Sequence, residues 1–140
     1  MNNNVYTEPR VTIITVVLNA EDLIQKTIDS VIAQDYINKE YIVLDGCSED
    51  ATIGIINNNI DNINIFESAI DDGIYDAMNK GIRLATGDWL YYLNAGDVFS
   101  NEKVLSNFMK GATDEIQLIV GNIEIVDMHN KKKIHTVPLR

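Results

Sequence analysis

The stretch Asp72-Gly73-Ile74-Tyr75-Asp76-Ala77-Met78-Asn79-Lys80-Gly81 decides the fold, together with three segments just after it: Ala85-Thr86-Gly87-Asp88, Trp89-Leu90-Tyr91-Tyr92-Leu93 and Asn94-Ala95-Gly96-Asp97. A small-residue turn opens a helix over Ile74 to Leu84, with Ile74, Ala77, Met78 and Ile82 as its expected inner face. A second turn launches an apolar strand, Trp89 to Leu93. That strand runs into a polar corner with an acid at its end. In an α/β protein, an acidic corner at the carboxyl end of a buried strand is where a ligand site is expected.

Working outward, the same alternation recurs. Val11 to Leu18 is β-branched and almost continuously apolar, as a strand covered on both faces reads. Asn19 to Asp22 offer cap residues. Leu23, Ile24, Thr27, Ile28, Val31 and Ile32 follow at helical spacing, giving a helix to about Gln34. Tyr41 to Leu44 is a second buried strand ending at Asp45-Gly46, and Ser48 to Thr52 opens a second helix. Ile63 to Phe66 is a short third strand. Asn101 to Met109 reads as a helix capped by Ser100 or Asn101. Ile116 to Val120 and Asn122 to Val126 are strand-like, with Gly121 as a bulge between them. Asn130 to Lys133 reads as a turn, and Ile134 to Leu139 as an edge strand. Strands alternating with helices predict an α/β domain with a mostly parallel sheet. Residues 1–10 read as a flexible lead-in, and 11–140 as a single domain.

Composition narrows the partners. A net charge of -10 opposes binding to nucleic acid and to anionic lipid. The single cysteine, Cys47, allows no intrachain disulfide, and its acidic neighbours disfavour a thiolate. No apolar run approaches the roughly 20 residues of a spanning helix, and the N-terminus has no apolar core of a signal peptide. The expectation is a soluble, cytoplasmic protein, at most peripheral to the inner face of the membrane.

Two places invite chemistry. Thr15 to Asn19 and Asp45-Gly46 lie at the carboxyl ends of central strands, facing the crevice where helices diverge. A carboxylate there can accept a hydrogen bond from a base N–H or a ribose hydroxyl. Asp45 can equally cap the Gly46-Cys47-Ser48 turn. At the second place, Asp97 either faces a ligand or caps the helix that comes after it.

Four blocks, in order, carry a family resemblance. They are Thr12-Ile-Ile-Thr-Val-Val-Leu-Asn19, Ser30-Val-Ile-Ala-Gln34, Tyr41-Ile-Val-Leu-Asp-Gly-Cys-Ser-Glu-Asp-Ala-Thr52, and Asp72 to Gly81 with Ala85-Thr86-Gly87. Together they resemble the nucleotide-binding half of a bacterial family-2 glycosyltransferase of the Rossmann-like GT-A type. Asn94 to Asp97 falls where that family carries its D-x-D-type motif. The resemblance implies a nucleotide-sugar donor, with a UDP-sugar expected. It also implies transfer to a hydroxyl of a polysaccharide or lipid-linked acceptor, with inversion. It assigns Thr15, Asn19, Asp45, Gly46, Asp72, Gly73, Asn79 and Asn94 to the nucleotide-sugar site. Asp45 would contact the base, Asn79 and the Gly73 turn would line the sugar-diphosphate pocket, and Asp97 would hold Mg²⁺ or Mn²⁺.

The departures matter as much. Asn94-Ala95-Gly96-Asp97 keeps one acid where the family usually has two or three. The chain is also shorter than the family's domain, so a truncated domain without its acceptor-binding part is expected. No general base can be assigned: Glu124, Asp127, His129 and His135 match no family motif. The alternative is a binding or assembly module without turnover. Surface left uncovered by truncation predicts a homo-oligomer. A dinucleotide oxidoreductase is disfavoured because Leu18 to Asp22 lacks G-x-G-x-x-G.

Overall fold

The computed structural model describes residues 8–113, 115–119, 121–126 and 132–135. The chain divides into two units, Met1–Ser106 and Asn107–Arg140.

The first unit is a four-stranded parallel sheet. β1 (Val11–Val17), β2 (Lys39–Asp45), β3 (Ile65–Ser68) and β4 (Trp89–Tyr92) stand in the order β3-β2-β1-β4. Parallel neighbours need a crossover, and helices supply it: α1 (Ile24–Ile32), α2 (Thr52–Asn58) and α3 (Ile74–Leu84). β1 is buried along its whole length, as its unbroken apolar run requires. Ile13, Ile14, Ile24, Ile28, Ile42 and Ile56 are fully buried. Each contributes about 1.5–3 kcal/mol of apolar burial. The chain turns from one side of β1 to the other between β3 and β4. That reversal places a crevice at the carboxyl ends of β1 and β4.

Helix faces differ from expectation on α3 and on α1. α3 buries Ala77 and Gly81, whereas Ile74 and Ile82 are exposed. The reason is close approach: a Cβ on Gly81 would come within 2.7 Å of Ile14 Cγ2. A residue without a side chain lets the helix backbone rest on β1, which rotates Ile74 and Ile82 outward. On α1, the expected inner residues Leu23 and Ile32 are likewise exposed, and Ile24, Thr27, Ile28 and Val31 form the buried face.

The amino-terminal rim of the sheet is closed by Glu40. Its carboxylate accepts from Thr12 Oγ1 (2.6 Å), Thr86 N (2.8 Å) and Thr86 Oγ1 (2.9 Å), and pairs with Arg10 at 3.6 Å. Part of the expected flexible lead-in is therefore tied down. Arg10 N donates to Asp88 Oδ2, Tyr36 OH to the Pro9 carbonyl, and Asn38 Nδ2 to the Glu8 carbonyl. Residues 1–7 lie outside the described residues.

α4 (Val104–Met109) starts later than expected, because residues 101–103 form a turn in which Asn101 Oδ1 accepts from Lys103 N at 2.9 Å. In the second unit, β5 (Ile123–Val126) pairs antiparallel with β6 (Lys132–His135). Ile116 to Ile119 form no strand, so Gly121 is not a bulge; the space a Cβ would take there is filled by the Phe108 ring. The expected turn at Asn130-Lys131 and the end of the final strand, 136–139, lie outside the described residues.

Candidate functional site

Two loops leave the carboxyl rim on either side of β1, and both hang on its last carbonyls. Gly46 N donates to Val17 O at 2.9 Å, and Ala95 N to Val16 O at 3.3 Å. Strands lie about 4.8 Å apart. The loops after β2 and β4 are therefore one strand spacing either side of β1, on one edge of the sheet.

The loop after β2 is a clasp. Asp45 is 2% exposed. Its carboxylate accepts from Ser48 N (2.9 Å), Ser48 Oγ and Ser68 Oγ (2.7 Å). Of the two roles open to Asp45 from sequence, the structure shows the turn-capping one. Asn19, at φ 48, donates its N–H to Ser48 Oγ at 2.8 Å and accepts from Glu49 N at 2.8 Å. Ala20 N donates to Thr52 Oγ1, Glu21 N to Asp50 Oδ2, and Ala51 N to Glu21 Oε2. The D-G-x-S-x-D-x-T pattern thus ties the ends of β1 and β2 together. Hydrogen bonds to Asp50, from the Thr52 side chain foremost and from the Thr52 and Glu21 N–H groups, hold its carboxyl below the ordinary range.

Thr15, expected at the nucleotide, requires correction. It is fully buried; its hydroxyl donates to the Leu93 carbonyl at 2.7 Å and accepts from Tyr41 OH at 3.0 Å. In a strand covered on both faces no side chain reaches the crevice except at the end. Burial pushes the Tyr41 phenol up to about 12, with the Thr15 hydrogen bond acting against it.

The corner after β4 is a turn. Asp97 N donates to Asn94 O at 2.9 Å, and Gly96 sits at φ 100. A type II turn needs this conformation at its third residue, and glycine adopts it without strain. Asn94 and Asp97 occupy the two ends. Asp97 is exposed, so it is not buried as a helix cap. Asn94 Oδ1 is buried with no hydrogen-bond partner. Burial first, and the Asp97 charge second, push up the phenol of Tyr91, whose ring packs against Phe99 at 4.9 Å. An exposed carboxylate and an orphaned amide oxygen on one turn are hard donors, the kind that Mg²⁺ and Mn²⁺ take. Among the described residues, no three His, Cys, Asp or Glu side chains form a protein-only metal cluster.

On the far side of the clasp lies a cleft of about 160 Å³ between the ends of β2 and β3 and the start of α3. Asp45, Glu67, Asp71, Asp76 and Lys80 are its polar lining. Lys80 forms an ion pair with Glu67. Asp71 Oδ1 accepts from Gly73 N at 2.9 Å, and its Oδ2 lies 3.3 Å from where a Gly46 Cβ would stand. The expected residues Asp72, Gly73 and Asn79 are exposed at the turn and on α3, and do not line this cleft. Gly46 flanks it. Sequence reasoning misses Asp71, Asp76, Glu67 and Lys80. One signal for them exists: Asp76 and Lys80 stand four apart on α3, one turn after Gly73.

The Glycosyl transferase family 2 profile matches residues 12–138, and the chain belongs to that family. It is 39% identical over 99 residues to an uncharacterised glycosyltransferase of Mycobacterium tuberculosis, covering 70% of this chain and 38% of that protein. It is 32% identical over 120 residues to a PGL/p-HBAD biosynthesis glycosyltransferase of Mycobacterium bovis, covering 82% and 47%. The chain thus spans half or less of these relatives. Among solved structures it is similar to the mannosyltransferase PcManGT of Pyrobaculum calidifontis, in complex with GDP-Man and Mn²⁺. That match has a TM-score of 0.68 and 26% identity, over 75% of this chain and 32% of that one. TarS of S. aureus, in complex with UDP-GlcNAc, shares the fold at a TM-score of 0.65 and 22% identity, over 70% and 29%. The fold is the GT-A type. No helix among the described residues is long and apolar enough to cross a membrane.

Proposed function

We propose that this chain is the donor-binding part of an inverting glycosyltransferase. The reaction moves a sugar from a nucleoside-diphosphate sugar to a hydroxyl of a polysaccharide or lipid-linked acceptor. One observation carries the reading: the acid-lined cleft and the Asn94–Asp97 turn open on the same rim, their loops bonded to successive carbonyls of β1. The Mn²⁺ and GDP-Man named for the Pyrobaculum enzyme support a metal-assisted donor site.

The cleft suits the nucleoside rather than the phosphates. Its carboxylates accept hydrogen bonds from base N–H groups and ribose hydroxyls, and they repel phosphate. Its one cation, Lys80, is drawn toward Glu67. Asp45 acts here through the clasp, keeping the cleft floor in place. Asn19 and Thr15 act as braces, Asn19 on the clasp and Thr15 on the strand end before the corner. Gly73 sets the start of α3, and Asp72 and Asn79 stand exposed beside the cleft for the sugar-diphosphate. Asp97 and Asn94 would hold Mg²⁺ or Mn²⁺, the remaining ligands coming from donor phosphate oxygens. The ion, when bound, neutralises charge that builds on the departing nucleoside diphosphate. No general base is assigned. Asp127 and His129 lie outside the described residues, as does the side chain of His135, and Glu124 belongs to the second unit.

The test is thermal denaturation with UDP- and GDP-sugars, with and without Mn²⁺. One donor is expected to raise Tm by several degrees with Mn²⁺ present, since ligand at 100 times Kd adds about 2.7 kcal/mol. No shift with any donor would refute the reading. Release of nucleoside diphosphate on adding an acceptor separates an enzyme from a binding module.

A further inference from the structure

A second set of residues stands behind the Asn94–Asp97 turn, and none of it touches the cleft. α1 presents Thr27 and Ser30 on one face, Gln34 stands two residues beyond its end, and each of the three bonds backbone of the segment after β4. Ser30 Oγ accepts from Phe99 N at 3.2 Å. Gln34 accepts from Leu105 N at 3.0 Å and donates to Asn101 O at 2.7 Å. Thr27 does more. Its hydroxyl accepts from Gly96 N at 3.0 Å and donates to Asp97 O at 2.9 Å.

A threonine hydroxyl inside a helix ordinarily bonds a carbonyl of its own preceding turn. Ser30 does so, donating to Thr27 O at 2.8 Å. Thr27 instead reaches about 70 residues along the chain, and it is fully buried, so water cannot substitute. One oxygen thereby fixes a backbone group on each side of the Gly96–Asp97 peptide. With the Asp97 N–H bonded to Asn94 O, the backbone of Asp97 is held on both sides. Its carboxylate alone remains free to turn outward.

We infer that Thr27 is a positioning residue for the metal-binding corner: it holds the Gly96–Asp97 peptide so that the Asp97 carboxylate and Asn94 amide oxygen meet one cation. This inference rests on the donor-site reading proposed for the rim. Without the hydroxyl, the turn keeps its sequence but loses the anchor that sets the direction of Asp97. The nucleoside cleft, built on β2, β3 and α3, is untouched.

The experiment is calorimetric titration of UDP and of GDP into the wild type and Thr27→Val, Thr27→Cys and Thr27→Ser, each with and without Mn²⁺. The quantity read is the enhancement of nucleotide affinity by Mn²⁺. Thr27→Val is expected to lower that enhancement about tenfold, the equivalent of roughly 1.4 kcal/mol, while metal-free affinity stays at the wild-type value. Thr27→Ser is expected to restore it. Thr27→Cys, a weaker donor of similar size, is expected to fall between them, and it serves if the valine variant does not fold. Equal enhancement in the wild type and in both Thr27→Val and Thr27→Cys overturns the inference and leaves the donor site standing. So does a parallel loss of metal-free affinity, which marks a general structural role. No Mn²⁺-dependent binding in the wild type overturns the donor site itself.

Discussion

At the scale of single residues, the buried carboxylates Glu40 and Asp45 brace the fold through hydrogen bonds. Glu40 is the clearest buried case. Burial alone would raise its pKa, but hydrogen bonds from Thr12 and Thr86 and the nearby Arg10 charge outweigh it, and the carboxyl lies below its usual 4.5. A depressed carboxyl stabilises the fold above its unfolded pKa, and that contribution disappears as pH falls through the folded value. Glu40→Gln is expected to cost about 2 kcal/mol at neutral pH, the scale of a hydrogen bond to a charged group. Urea melts from pH 7 to pH 3 check this: the wild type should lose its advantage over the variant below pH 4.5, and a constant gap would contradict it. Residue roles are the least legible part of the sequence. Thr15 and Asp45 sit where a site residue belongs, but a sequence cannot say whether a polar side chain at a strand end points into the crevice or back into the loop. Asp71 and Asp72 are neighbours of identical chemistry, and the turn at Gly73 decides which one lines the cleft.

At the scale of elements, strands and helices follow from apolar period, and their errors come from hydrogen bonds that the period does not register. β1, α3 and β4 lie within a residue of where the pattern puts them, and β2 starts at Lys39, two residues before the expected Tyr41. β3 begins at Ile65 rather than Ile63, because Asn64 turns its amide oxygen onto Tyr41 N at 2.7 Å and closes the start of the strand. α1 begins at Ile24, just after the expected cap residues Asn19 to Asp22, and ends at Ile32 rather than at about Gln34. The face of α3 turns on Gly81. Gly81→Val should therefore destabilise more than its helix propensity explains, by about 1–3 kcal/mol of overpacking. Gly54→Val on α2, where a Cβ meets nothing within 4 Å, is the control. Denaturant melts giving equal losses for the two would contradict close packing of α3 on β1.

At the scale of the whole molecule, the proposed site rests on the order β3-β2-β1-β4. It puts the loops after β2 and β4 around one strand end, and the ordered blocks from Thr12 to Asp97 carry that arrangement in the sequence itself. The second unit is built differently. Ile123, Ile125, Val126 and Ile134 of the β5–β6 hairpin are all more than half exposed. A two-stranded hairpin with uncovered apolar residues is marginal in water. Light scattering at moderate protein concentration is expected to show a dimer or larger species, and a monomer would contradict that expectation. The most direct measurement of the central claim is calorimetric binding of UDP and GDP with Mn²⁺ to the wild type and to Asp97→Ala. The account requires Mn²⁺-dependent binding in the wild type, with metal dependence abolished in Asp97→Ala and metal-free affinity retained. Binding that is indifferent to both the ion and Asp97 would contradict it.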